Sequence, residues 1–177
     1  MPQILVRELD SFPEPEFSAL VRESFSDYEP SALLADVLAQ EAKARGNLQS
    51  DSAEGAFRLG AFDGSRLVGW TYAKPQGTHL HMINSGVSPA YRRQALYSRL
   101  VRLVIEHARS RQYVTVQSRH ATDNNAVLIA KLKLGFFVSG FEYSEVYGPL
   151  VRLTFLLGEP RRALHRARAT PIRPTEG

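Results

Sequence analysis

Cysteine is absent from the 177 residues. That excludes a disulfide framework, thiolate zinc, iron–sulfur ligation and a cysteine nucleophile, and it removes the usual mark of an oxidising compartment. Long apolar runs are absent too. The greasiest stretch, Leu150 to Leu157, is broken by Arg152 and Thr154, far short of the ~18 apolar residues that a membrane span needs. Met1 to Asp10 carries Arg7, Glu8 and Asp10 and has no apolar core of the kind a secretion signal requires. The expectation is a cytoplasmic protein without membrane contact.

A one-signed charge is also missing from the body of the chain. The formal charge of +4 comes from 22 basic and 18 acidic side chains. Residues 159–177 hold five arginines (161, 162, 166, 168 and 173) against Glu159 and Glu176. That leaves 17 basic and 16 acidic groups for the rest. The basic character therefore belongs to a tail, whose Pro160, Pro171 and Pro174 and few large apolar residues predict disorder beyond a short helical turn.

What is present is the material of one domain, residues 1–158. Hydrophobic residues make up 44% of the chain and charged residues 23%, ordinary values for a globular protein. A strand over Ile4–Leu9 precedes a helix opened by Pro13 and Pro15. A second helix follows Pro30 and Ser31, with Leu33, Leu34, Val37 and Leu38 on one face. Residues 46–55 read as a loop. Ala56–Phe62 and Arg66–Lys74 make a hairpin across Asp63-Gly64, and Thr78–Ser88 is a strand ended by Pro89. Gln94–Ser110 is the most regular helix, Tyr113–Gln117 a strand and Asn124–Leu134 a helix stopped by Gly135. Phe136–Val146 and Leu150–Leu157 close the domain as a hairpin. The order β-α-α-β-β-β-α-β-α-β-β predicts an α/β protein of α+β type. Its sheet is mixed and mostly antiparallel, with about seven strands and helices on both faces.

Chemistry concentrates where strand, proline and basic helix start are contiguous: Val87-Ser88-Pro89-Ala90-Tyr91-Arg92-Arg93-Gln94-Ala95-Leu96-Tyr97-Ser98. A helix N-terminus offers unpaired N–H groups and a partial positive charge, and adjacent arginines strengthen its pull on a phosphate. His79 and His81 share a strand face upstream. A neutral histidine at that place is a candidate general base. No third histidine or neighbouring carboxylate accompanies the pair, so no metal is expected.

This stretch resembles the GNAT superfamily of N-acetyltransferases, in which V-x-P-x-Y ends a strand and R-x-x-G-x-G/A follows. Asn124 through Leu134-Gly135-Phe136 is similar to a second motif of that family, N-x-x-A…L-G-F, with Val127 in place of the alanine. The resemblance implies acetyl-CoA as co-substrate. Its pyrophosphate would lie on the amides of Arg93, Gln94, Ala95, Leu96, Tyr97 and Ser98, assisted by the Arg92 and Arg93 side chains. Ala95 and Tyr97 stand where the family has glycine; alanine is expected to keep a helical backbone, and the tyrosine ring must turn away from the cofactor. The resemblance further implies an oxyanion site near Gly86 and Val87, and Asn124 on the pantetheine arm. It places His81 as base where the family often has glutamate. It places Tyr143, or Tyr147, as acid in place of the family tyrosine position, which is Lys131, read as an exposed helix lysine.

Trp70 and Tyr72 are candidates to line an acceptor pocket. Glu14, Glu16, Glu23, Asp27 and Glu29 give the first two helices an acidic character that would steer a cationic amine. The function implied is acetyl transfer to a primary amine of a small molecule. The alternatives are transfer to a protein amine, or a non-catalytic module whose basic tail holds nucleic acid or an acidic partner. A homodimer is compatible with either.

Overall fold

The computed structural model describes residues 4–25 and 55–169, together with positions 36, 37, 39, 40 and 43. The helix expected after Pro30 and the loop over 46–55 lie almost wholly outside the described residues. Seven strands form one sheet: β1 (Leu5–Glu8), β2 (Phe57–Asp63), β3 (Arg66–Gln76), β4 (His79–Val87), β5 (Thr115–Ala121), β6 (Phe137–Ser144) and β7 (Gly148–Leu156). Their spatial order is β1-β2-β3-β4-β5-β7-β6. Only β4 and β5 pair in parallel; every other neighbour is antiparallel. Among the described residues the continuous α-helices are α1 (Glu16–Ser24), α2 (Leu96–Ser110), α3 (Asn125–Lys133) and α4 (Glu159–Ala169).

Local chemistry explains the turns. Gly64 and Gly77 adopt φ of +59°, which lets two tight turns join β2, β3 and β4 into a meander. Helix α2 buries Leu96, Leu100, Val101, Val104, Ile105 and Ala108, a stripe at helical spacing. It packs on one face of the sheet with Leu59, Ala61, Val68, Leu80, Val116 and Leu153. The other face of β2 and β3 carries Phe62, Leu67 and Trp70, covered by Leu20 of α1 with Phe12 and Phe17. A β-bulge in β3, where the register shifts between Ala61 and Phe62, turns Val68 to the α2 side while Leu67 and Trp70 stay on the α1 side.

Two expectations are corrected. The strand placed at Tyr113–Gln117 begins at Thr115 and runs to Ala121, which brings Ser118, Arg119 and His120 into the sheet. Residues 159–169 are not a disordered tail but form α4. Glu159 accepts from Arg162 at 2.9 Å and also binds Arg166 within that helix. His165 stacks on Phe137 with ring centroids 3.9 Å apart. The proline at the second helical position costs no bond there, because the first N–H groups of a helix have no intrahelical partner.

Candidate active site

The parallel ladder between β4 and β5 is short. It runs from His79↔Thr115 to Met82↔Ser118 and then ends. Beyond that point β4 stays with β3, after a register shift in which Tyr72 faces Asn84 and Ala73 faces Met82, so Ile83 is the extra residue. Strand β5 stays with β7 as far as Ala121. The bulge bends β4 away, and the two central strands fork. The mouth of the fork exposes strand backbone of Ile83–Val87 and Arg119–Ala121 that no longer pairs across, a template for an extended ligand.

The loop between β4 and α2 adjoins this fork. Ser88 is buried and donates to Glu23 at 2.9 Å, and Tyr91 donates to Asp63 at 2.7 Å. Arg93 and Ala95 have φ of +61° and +59°. Ala95 is thus a left-handed N-cap, not the helical residue expected of it, and α2 starts at Leu96 rather than Gln94. Left-handed geometry costs a non-glycine residue roughly 1–2 kcal/mol. Two such residues one apart turn successive N–H groups inward, as in an anion nest. No side chain caps α2, so its first amides stay available.

The side chains around the nest divide into anchors and free groups. Arg92 donates to the Val87 carbonyl at 3.2 Å and to the Ser24 carbonyl at 2.8 Å. It ties α1 to the end of β4 and is not the phosphate-reaching side chain expected. Arg93 is exposed and makes no hydrogen bond or ion pair among the described residues. Gln94 donates to the Ala90 carbonyl at 3.2 Å. Leu96 is buried in the core, and Tyr97 packs against it with its hydroxyl pKa pushed up by burial. The ring at position 97 has turned inward, so residues 96 and 97 offer amides only. Ser98 is half-buried on the first turn of α2. Gly86 has no room for a side chain: a Cβ there would meet the Trp70 ring at 2.2 Å. Trp70 is fully buried and belongs to the core rather than to a pocket wall.

At the base of the fork His81 is only 5% exposed. Its Nε2 lies 3.2 Å from Nη1 of Arg119, whose Nε is bound in turn by Glu142. A guanidinium only donates, so Nε2 is the acceptor and the proton of the neutral ring sits on Nδ1. That Nδ1 is buried without a partner among the described residues. Burial first, then Arg119 and Lys131, lower the His81 pKa to about 4. In this arrangement His81 presents a donor, not a free lone pair, and the general-base role expected of it lacks its acceptor. His79 is held apart, with Nδ1 2.8 Å from the Thr115 hydroxyl.

Lys131 differs most from expectation. It is fully buried, not exposed, and burial lowers its pKa to about 7. Its Nζ donates to Ser118 Oγ at 2.6 Å and lies 3.2 Å from Met82 Sδ, the last pair before the fork. His120 Nε2 is 2.9 Å from the same hydroxyl. Burial, then Lys131 and His81, lower the His120 pKa to about 3, so a neutral ring completes the chain Lys131–Ser118–His120, and its tautomer sets the direction of the last bond. Tyr143 is 79% exposed and Tyr147 lies in the β6–β7 turn, 56% exposed. The register puts Tyr143 two residues from Phe141, on the face opposite Glu142 and His81. The structure does not bring either tyrosine to His81. Asn124 caps α3, its Oδ1 accepting from the Val127 amide at 3.3 Å.

The sequence reading missed Ser118, Arg119, His120 and Glu142. The absence of any breaker between Gln117 and Asp123 was the one signal that β5 continues. Among the described residues no group of three metal-ligating side chains occurs, and no helix is long and apolar enough to cross a membrane.

A mixed sheet forked between its parallel strands, with a left-handed loop beside the fork, is the architecture that the site presents. The sequence profile of the acetyltransferase (GNAT) family matches residues 9–136, and the chain belongs to that family. Among curated proteins none matches significantly. Among solved structures, the ribosomal-protein-S18-alanine N-acetyltransferase of Escherichia coli is similar with a TM-score of 0.67 and 16% identity, over 89% of this chain and 97% of that one. A probable acetyltransferase of Staphylococcus epidermidis ATCC 12228 gives 0.68 and 17%, over 88% and 100%. PaiA N-acetyltransferase from Thermoplasma acidophilum, solved with coenzyme A, gives 0.61 and 18%, over 85% and 98%. At these identities the likeness is one of fold.

Proposed function

We propose that this protein transfers the acetyl group of acetyl-CoA to a primary amine of a small molecule. The observation that carries this reading is the fork between β4 and β5, flanked by the left-handed loop at the start of α2. The residues present fit the cofactor. The amides from Arg93 to Ser98 and the free Arg93 side chain suit a pyrophosphate, with charge-assisted bonds of about 1.5–3 kcal/mol each. The unpaired edge of β4 from Ile83 to Val87 suits an amide-bearing arm, and Asn124 lies at the start of the helix that closes the other side. When bound, the cofactor supplies an acetyl thioester, which a neutral amine can attack.

The chain's own groups then divide the work. An unpaired backbone N–H on the edge of β4 between Ile83 and Val87 is the donor for the developing oxyanion. Lys131 Nζ holds a proton at the base of the fork with a pKa suited to giving it up near neutrality. We assign it the protonation of the departing thiolate, the role first sought in Tyr143. The amine's proton passes to water.

Calorimetric titration with acetyl-CoA tests the reading. Arg93→Ala should weaken binding about tenfold, the equivalent of ~1.4 kcal/mol. Ala95→Asp should nearly abolish it, because aspartate tolerates the left-handed backbone but sets a negative charge against the pyrophosphate. Wild-type protein that binds no acetyl-CoA at millimolar ligand would overturn the proposal.

A further inference from the structure

The α1-side face of the sheet changes character at the fork. From His81 at the base of the fork on β4, and on across β5, β7 and β6, it carries Gln117, Arg119, Arg152, Thr154 and Glu142. Arg119 and Arg152 are directly opposite each other on β5 and β7. Like charges in that position repel and destabilise a sheet pair unless something compensates them. Glu142 binds Arg119 through Nε, which balances one of the two. Arg152 is half-buried and its guanidinium has no carboxylate among the described residues. The room it occupies is provided for it. A Cβ on Gly140 would stand 2.8 Å from Nη2 of Arg152, so the guanidinium lies against bare backbone of β6. The φ of Gly140 is not in the left-handed region. Glycine there is therefore explained by the arginine rather than by the backbone.

The placement of this unbalanced cation is specific. Arg119 is the first β5 residue past the last β4–β5 pair, and its Nη1 reaches His81. Arg152 is one strand further out, ~4.8 Å away in the pairing direction. The phosphate nest belongs to α2, on the opposite face, so this patch is not the cofactor's.

We infer that the amine acceptor carries a carboxylate, held by Arg152 beside Arg119, with its amine directed into the fork next to His81. This rests on the acetyl-transfer reading and narrows its acceptor from amines in general to short amino-acid-like zwitterions. A planar fork matches a carboxylate with two parallel hydrogen bonds, which lysine does not reproduce. The carboxylate survives the reaction unchanged. The amine loses its charge on acetylation, so product keeps only half of the acceptor's polar anchoring.

The test compares α- and ω-amino acids with their carboxamides as acceptors, with free CoA as readout, and adds C-terminally amidated dipeptides whose second residue is acidic. Wild-type protein should prefer the carboxylate over the carboxamide at least tenfold in kcat/KM. A preference confined to the acidic dipeptides would keep the carboxylate site and assign it to a peptide. Arg152→Gln should remove the preference through KM, Arg152→Lys should restore it only in part, and acetyl-CoA affinity measured by calorimetry should stay unchanged in both. Gly140→Val, which leaves the charge but crowds the guanidinium, should also cut the preference. The inference is overturned if wild-type protein binds acetyl-CoA yet accepts no carboxylate-bearing amine in preference to its carboxamide. Failure to bind acetyl-CoA would instead sink the function proposed above.

Discussion

The two halves of the sheet present the same face to opposite uses. On β2 and β3 that face is Phe62, Leu67 and Trp70, sealed by Leu20, Phe12 and Phe17. At the base of the fork and across it, that face is His81, Arg119, Arg152 and Glu142. Where a helix covers the face the residues are apolar and the indole of Trp70 fills the space left by Gly86. Where the strands separate, the same pleat carries charges that pair imperfectly with one another. One backbone thus serves as core and as site, and the β4 bulge at Ile83 is the boundary between them. Strain and polarity gather on the site side, where they are tolerated because the apolar half supplies the stability.

Breaking the apolar half should have the largest effect. Trp70→Ala removes a fully buried ring and should cost about 3–5 kcal/mol by chemical denaturation. The contrast would be blurred if that variant kept its stability and lost only activity.

Lys131→Met tests the polar half from the side of α3. It should lower turnover on the order of 10²–10⁴ while raising stability by roughly 1–4 kcal/mol near neutral pH, since a buried ionisable group gives way to an apolar one. The sign has a pH signature. Lys131 titrates at about 7 in the folded protein against 10.5 ordinarily, so between those values the unfolded chain holds the extra proton. Stability of the wild type should rise with pH from about 7 to 10.5, and the variant should lack that rise.

A smaller effect should appear on the acid side. The pKa values of His81 and His120 fall from 6.5 to about 4 and about 3. Unfolded chains bind protons below 6.5 that the folded protein refuses, so stability should decline as pH drops from 6.5 toward 4. Melting curves of His81→Asn over that range should show a shallower decline. An unchanged slope would mean that His81 is not buried neutral.

Truncation after Gly158 should matter least. It removes α4 and the stack of His165 on Phe137, a contact worth about 0.5–1.5 kcal/mol, and should lower the melting temperature by a few degrees with acetyl-CoA affinity unchanged. Loss of cofactor binding on truncation would tie the basic helix to the site and end its separation from the two halves of the sheet.

Much of this architecture is legible from local pattern. Gly64 and Gly77 mark turns, the stripe from Leu96 to Ala108 marks α2, and Val87 to Ser98 marks the anion loop, because each depends on neighbours within a few residues. The left-handed Ala95 escaped the same reading, since alanine ordinarily extends a helix and only the surrounding loop holds it at φ +59°. Likewise Arg92 looks identical to Arg93 in sequence, yet one is anchored to Ser24 and the other is free.

The sequence by itself determined the order of the seven strands, the helices α1 to α3 between them and the family motifs, because hydrophobic period and turn chemistry act over short range. The tertiary structure alone decided that Lys131 is buried against Met82 and Ser118, that His81 yields its lone pair to Arg119, and that Arg152 faces Arg119 over a bare Gly140. Those relations join residues from 12 to 49 positions apart. They depend on strand register and on which face each pleat turns inward, and a shift of one residue in either would undo all of them.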